Sequence, residues 1–162
     1  MEFIFKYPTT KYTIRELARK TNLAPPTVLG FVRLLRKENM IREAKVARAS
    51  QISADLESSA YKRKKKLYNI ASIHESGLLD YLIEKYNDPK AIVLFGSYAR
   101  GDDTERSDID IAIFTSDHKR LDLKQFENRL ARPISIHELN IDKVSDELKN
   151  NLYNGIVLHG AL

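Results

Sequence analysis

The stretch from Ala91 to Phe114, AIVLFGSYARGDDTERSDIDIAIF, decides how the rest of this sequence is interpreted. It begins with an apolar run of strand length and breaks at Gly96-Ser97. It then crosses a polar loop and enters a second apolar run that begins at Ile109. The pattern predicts a strand, a short turn and a second strand.

Two carboxylates enter the second apolar run. Successive side chains of a strand point to opposite faces, so Asp108 and Asp110 are expected on one face and the isoleucines between and after them on the other. Two neighbouring carboxylates raise each other's pKa unless they share a cation. Oxygen ligands favour Mg²⁺, which proteins bind through one or two carboxylates together with substrate phosphates. We therefore predict a magnesium site at this pair.

The break between the two runs has the composition of a phosphate-binding turn. Gly96 lets the backbone approach a ligand closely, and the Ser97 hydroxyl and the amides that follow can donate to phosphate oxygens. Arg100 and Arg106 flank the polar loop, where they either pair with phosphates or are solvated surface charges. These four residues are our candidates for nucleotide binding.

Gly96-Ser97, ten further residues and Asp108-Ile109-Asp110 resemble the GS-x10-DxD signature of the nucleotidyltransferase superfamily related to DNA polymerase beta. The loop sequence SYARGDDTERSDIDI resembles the minimal nucleotidyltransferases of archaea and bacteria. The resemblance implies a small α+β domain with a mixed sheet. It also implies transfer of a nucleoside monophosphate from an NTP, with ATP expected, to a hydroxyl, with release of pyrophosphate.

The sequence departs from the family at one position. In the family, three carboxylates hold two Mg²⁺ ions, and the third carboxylate comes from a neighbouring strand. That strand is expected at residues 134–139, where Ser135 and His137 share the relevant face and Glu138 is turned away by regular pleating. Three interpretations remain open: Glu138 joins the catalytic set through a bulge, His137 replaces the missing carboxylate as base or ligand, or the site binds nucleotide without turnover.

Composition limits the class of protein. The chain has 162 residues, of which 43% are hydrophobic, and this is enough for one packed domain or two small ones. No apolar run reaches the roughly 18 residues of a membrane span, and no signal-peptide pattern is seen at the N-terminus. The chain lacks cysteine, which excludes disulfides and thiolate metal sites. We expect a soluble, cytoplasmic protein.

Charge is distributed unevenly along the chain. Residues 1–70 contain 16 Lys and Arg against 6 Asp and Glu, whereas residues 71–162 contain 11 against 16. A basic segment suits a phosphate backbone, because neutralised phosphates release their counterions. The two halves are therefore expected to have different partners.

The basic half has the pattern of a helix-turn-helix. Thr13 and Glu16 have the spacing of a capping box, and apolar spacing predicts helices over 13–20 and 25–38. A hairpin is predicted over residues 40–54. The segment resembles the winged-helix domains of archaeal and bacterial regulators, and the alternative is a helical hairpin in a small bundle.

The winged-helix resemblance implies binding to double-stranded DNA through the second helix and the hairpin tip. Thr27, Arg33 and Lys37 are the candidates on the helix, and Arg48 is the candidate at the tip. Gly30 is unusual there, because glycine costs about 1 kcal/mol relative to alanine in a helix interior. It marks either close approach of a backbone or tight helix packing.

We thus predict a winged helix-turn-helix over residues 1–70 and a nucleotidyltransferase domain over residues 71–162. The cationic run at residues 62–66 extends the nucleic-acid surface, binds another acidic ligand or is a solvated helix face. A helix is predicted over 142–153 and a closing strand over 155–159. A homodimer is expected only from the winged-helix resemblance.

Two functions are compatible with these predictions. The first is an enzyme coupled to a DNA-binding domain, whose acceptor hydroxyl can belong to a partner protein. The alternative is a DNA-binding transcriptional regulator, or an antitoxin-like protein, whose degenerate nucleotidyltransferase domain binds nucleotide without turnover.

Overall fold

The structure is a computed structural model, and it describes residues 2–46, 49–140, 152 and 154–161. It divides into two compact units, Met1–Lys65 and Lys66–Leu162. This division lies before the boundary expected at residue 70. Asn69, which precedes the expected boundary, hydrogen-bonds Tyr98 and Asp103 of the second unit.

The first unit contains three helices and a two-stranded antiparallel hairpin: α1 Glu2–Lys6, α2 Ile14–Thr21, α3 Pro25–Lys37, β1 Ile41–Val46 and β2 Ala49–Ala54. The Thr13 N–H donates to Glu16 Oε2 at 2.7 Å, and the Glu16 N–H donates to Thr13 Oγ1 at 3.3 Å. The predicted capping box at the start of α2 is therefore confirmed.

The long helix α4, Ser59–Ser76, begins in the first unit and carries the cationic run. Lys65 is fully buried, and its ammonium group donates to the Phe5 carbonyl oxygen at 2.7 Å. Lys64 pairs instead with Glu38 at the surface. The cationic run is therefore not a uniformly solvated helix face, because Lys65 is buried and hydrogen-bonded inside this unit.

Among the described residues, the second unit continues along α4 with the elements α5 Leu78–Lys85, β3 Ala91–Phe95, α6 Gly96–Arg100, β4 Ile109–Phe114, α7 Lys124–Leu130, β5 Ile134–Leu139 and β6 Ile156–Gly160. The strand order is β5-β4-β3-β6. β3 is antiparallel to both of its neighbours, whereas β4 and β5 are parallel. Helix α7 provides the crossover that a parallel pair requires.

Both faces of this sheet are covered. The isoleucines of β4 at positions 109, 111 and 113 are fully buried in a cluster that also contains residues of α5 and α7. The opposite face carries a smaller cluster with Val93, Phe95, Ala112 and Phe114. Alternation places Asp110 on the second face, as predicted from the sequence.

One predicted turn is wrong. Gly96-Ser97 opens the short helix α6, because the positive φ of Gly96, 72°, redirects the chain immediately after β3. The helix expected over 142–153 lies outside the described residues except for Leu152, which is helical. No helix in the described part of the chain is long and apolar enough to cross a membrane.

Candidate active site

Sheet topology brings Gly96, the first residue of α6, against the second aspartate. Because β3 and β4 are antiparallel, Phe95 at the end of β3 lies opposite Asp110 near the start of β4. Gly96 follows directly, and a Cβ atom added there would lie 2.3 Å from Asp110 Oδ2. Any other residue would strain the backbone at this φ and displace the carboxylate. Both effects favour glycine at this position.

The neighbouring strand β5 supplies polar groups to the same place. Ser135 pairs with Asp110 in the parallel register, and its hydroxyl donates to Asp108 Oδ2 at 3.2 Å. His137 Nε2 lies 3.7 Å from Asp110 Oδ1. This nitrogen is buried and has no hydrogen-bond partner among the described residues. Ser135 and His137 thus face the aspartate pair, as the alternation predicts.

Neighbouring groups shift the pKa of the Asp110 carboxyl in opposite directions. Burial raises the pKa of Asp110 above its ordinary value, His137 opposes this increase, and the negative charge of Asp108 adds to it. The net pKa stays raised because His137 and Arg100 do not fully offset the burial. A cation placed beside Asp110 would favour its ionised form.

Glu138 is not part of this arrangement. Strand β5 pairs with β4 in regular register and without a bulge, so Glu138 lies on the face opposite Ser135 and His137. Its carboxylate accepts hydrogen bonds from the Tyr86 hydroxyl at 2.5 Å and the Lys119 N–H at 2.8 Å, and it contacts His118. Of the three interpretations, the one in which a bulge brings Glu138 to the aspartates therefore disagrees with the register of β5.

The predicted phosphate-binding residues lie in α6 and the loop that follows it. Ser97 is the second residue of α6, next to Gly96. Arg100 is exposed, pairs with Asp102 at 3.1 Å and is close enough to lower the pKa of Asp110. Arg106 is exposed, and no contact in the described part of the chain ties its side chain to the aspartates.

Three polar residues beside the loop after α6 are buried, and no sequence pattern predicted their burial. Asn69, Asp103 and Arg132 are each at most 4% exposed, and Asn69 and Arg132 both contact Asp103. Asp103 stands in the run DDTERSD, in which four residues are acidic, and nothing in that run distinguishes a buried carboxylate from a solvated one. Only the tertiary contacts identify it.

The oxygen ligands of this site suit one Mg²⁺ ion better than the two Mg²⁺ ions that the family resemblance implies. In the described ranges, no group of three or more His, Asp or Glu is arranged to hold a metal ion. Asp108 and Asp110 fit an ion that is held by two carboxylates together with substrate phosphates. On β5, the strand expected to carry the third carboxylate, the group that contacts Asp108 is the neutral hydroxyl of Ser135.

The first unit presents the candidate DNA-contacting residues of α3 to solvent. Thr27, Arg33 and Lys37 are exposed, whereas Arg48 lies outside the described residues. A Cβ atom at Gly30 would meet nothing within 4 Å. Tight packing against the residues that the structure describes therefore does not explain this glycine.

The fold and the glycine–aspartate geometry define the class of protein, and comparison with known proteins agrees. Residues 78–161 match the family described as "Polymerase beta, Nucleotidyltransferase". The chain belongs to this nucleotidyltransferase family.

A relative with a more specific name is found in Methanocaldococcus jannaschii. It is named "Putative protein adenylyltransferase" and is 40% identical to this chain over 77 residues. The similar region covers 47% of this chain and 71% of the relative. This similarity agrees with the nucleotidyltransferase superfamily predicted from the GS-x10-DxD pattern.

Proposed function

We propose that this chain is a Mg²⁺-dependent enzyme that transfers a nucleoside monophosphate from an NTP, with ATP as the expected donor, to a hydroxyl group. The observation that carries the proposal is the contact geometry of Gly96 with Asp110, beside Asp108. A glycine that leaves no room for a side chain and a pair of carboxylates together suit a phosphate chain with its cation.

Each candidate residue has a distinct role in this proposal. Gly96 and Ser97 bind the triphosphate, and Asp108 and Asp110 hold Mg²⁺ together with it. The ion would offset negative charge on the transferred phosphate. Arg100 would pair with the phosphates from the loop, and we assign Arg106 the same role.

The transfer is a single displacement at phosphorus. The acceptor oxygen forms a bond to the α-phosphorus, the bond between the α-phosphorus and the bridging oxygen breaks, and pyrophosphate leaves with that oxygen and the electron pair. The hydroxyl proton is released. The relative named as a protein adenylyltransferase supports a partner protein as the acceptor.

The test is transfer of label from ATP carrying its label in the α-phosphate. The full chain is incubated with Mg²⁺ and a native extract of its source cells, and labelled proteins are identified by mass spectrometry. We expect a protein with one added nucleoside monophosphate, and no label with Asp108→Asn. Nucleotide binding without any labelled acceptor would instead favour the alternative, a domain that senses nucleotide. The neutral Ser135 on β5 is the observation that favours that alternative.

We further propose that the first unit is a winged helix-turn-helix that binds double-stranded DNA. Helices α2 and α3 and the β1–β2 hairpin occur in the chain order of such domains, and the exposed side of α3 carries Arg33 and Lys37. Two prolines, Pro25 and Pro26, open α3 and supply no N–H group. Contacts to DNA would therefore come from side chains rather than from amides at the start of this helix.

Salt dependence tests the DNA proposal. We expect duplex DNA binding by the full chain to weaken with salt, because phosphate contacts release counterions. Arg33→Ala with Lys37→Ala should lower the slope of log affinity against log salt by about 0.9 for each phosphate that the variant no longer neutralises. The matched control is Lys85→Ala with Lys124→Ala, two exposed cations of the second unit. Equal slopes for the two double variants would refute the assignment.

A further inference from the structure

The second unit buries a charged cluster next to its candidate active site. Asn69 is 1% exposed, Asp103 is 1% exposed and Arg132 is 4% exposed. We call these three residues the buried clamp. None of them has a role in the nucleotide and metal binding proposed above.

The buried clamp joins separate segments of the chain. The Asn69 side-chain N–H₂ group donates to Asp103 Oδ1 at 2.8 Å and to the Tyr98 carbonyl oxygen at 2.9 Å. Arg132 Nη2 lies 3.4 Å from Asp103 Oδ2. The cluster therefore connects α4, α6, the loop after α6 and the residues that lead into β5.

These segments are the ones that carry the candidate catalytic groups. Tyr98 follows Gly96-Ser97 in α6, and Asp103 lies in the loop that ends at Asp108. Arg132 precedes Pro133, whose carbonyl oxygen accepts from the Ile109 N–H at 2.9 Å. The buried clamp thus holds the loop at its beginning and at its return to the sheet.

Stability alone is a weak explanation for such a cluster. Removing two charges from water is costly, and well-packed apolar residues of similar volume often replace a buried ion pair without loss of stability. A charged pair with directional hydrogen bonds does, however, fix the geometry of the groups that it joins. A loop between the proposed phosphate-binding residues of α6 and the proposed metal-binding pair needs fixed geometry.

We propose that Asn69, Asp103 and Arg132 are positioning residues, which hold the loop at residues 101–108 so that Asp108 stays aligned with Gly96-Ser97. The inference rests on the proposed nucleotidyl transfer. The buried clamp does not touch the substrate in this proposal, and it acts through the loop backbone.

The test uses the double variant Asp103→Leu/Arg132→Met, which removes both charges and leaves neither one buried alone. The matched control is Asp117→Asn/Lys119→Met, which removes an exposed ion pair of the same unit at 3.3 Å. We expect both variants to fold with a Tm near that of the wild type. The clamp variant should lose at least tenfold in kcat for transfer with a smaller change in KM, and the control should keep wild-type kinetics.

Hydrogen exchange gives a readout that does not depend on activity. In the clamp variant, the amides of Thr104, Ser107 and Ile109 should exchange at least tenfold faster, while amides of β3 remain unchanged. The single variant Arg132→Lys keeps the positive charge, and it should lose less kcat than the clamp variant does. Unchanged exchange in the loop, or unchanged kcat in a folded clamp variant, would overturn the inference. A wild-type chain that binds no Mg²⁺ and ATP would instead refute the proposed function, whatever the loop exchange shows.

Discussion

Asp110→Asn should abolish Mg²⁺-dependent nucleotidyl transfer, with a loss of at least about a thousandfold in kcat. The expected size follows from losing several kcal/mol of charge stabilisation when a metal ligand becomes neutral. The substitution keeps the shape of the side chain beside Gly96, so the start of α6 need not move. Transfer of α-phosphate label measures the effect. Asp117→Asn, which changes an exposed aspartate of the same unit, should leave the rate unchanged.

The same substitution should not destabilise the fold. A carboxyl group with a raised folded pKa binds its proton more tightly in the folded than in the unfolded state. Its ionised form therefore costs stability, and this cost grows as pH rises from the ordinary value of 3.8 through the raised pKa. At neutral pH, Asp110→Asn removes the cost, and its Tm should equal or exceed that of the wild type. Retained transfer, or a reduced rate that accompanies unfolding, would contradict the assignment of Asp110 as a metal ligand.

Ser135→Asp should produce a gain in metal binding. Ser135 pairs with Asp110 in register and bonds Asp108, so a carboxylate at this position would complete a group of three. We expect Mg²⁺ affinity to rise on the order of tenfold, since ligand charge sets the affinity of oxygen sites. Without metal, three close carboxylates repel one another and the Tm should fall. Added Mg²⁺ should restore the Tm and raise it more than in the wild type.

The control for this gain is Ser135→Asn, which has the same shape as the aspartate and no charge. It should show neither the fall in Tm without metal nor the larger Mg²⁺-dependent increase. Thermal unfolding with and without Mg²⁺ measures both variants. If Ser135→Asp responds to Mg²⁺ as Ser135→Asn does, Ser135 does not stand at a third metal-ligand position.

The arrangement of the candidate site was predictable from local pattern. An apolar run that ends at a glycine and a second run with carboxylates at alternate positions can form adjacent strands in which the polar groups share one face. The structure has this arrangement, with Phe95 opposite Asp110. The parallel partner at residues 134–139 also has the predicted bounds. Period-two alternation fixes these features without tertiary information.

Other features depend on contacts that no local pattern contains. Lys65 belongs to a run of five cations, and its burial results from a carbonyl acceptor far away in the chain, that of Phe5. Asp103 is paired with Arg132, which follows it by 29 residues. The sequence left open which face of β5 carries Glu138, because a bulge would have turned its side chain toward the aspartates. The regular register of β5 excludes that bulge. The missing information was a distant partner for Lys65 and Asp103 and the register of β5 for Glu138.

The most direct test of the central claim is calorimetric titration of a non-hydrolysable ATP analogue into the full chain, with and without Mg²⁺. The claim is that Gly96-Ser97 and the aspartates Asp108 and Asp110 form one site for a nucleotide and its metal. We expect binding of one analogue per chain that is at least about tenfold tighter with Mg²⁺, which corresponds to about 1.4 kcal/mol. Binding that is equally tight without Mg²⁺, or no binding in either condition, would contradict the claim.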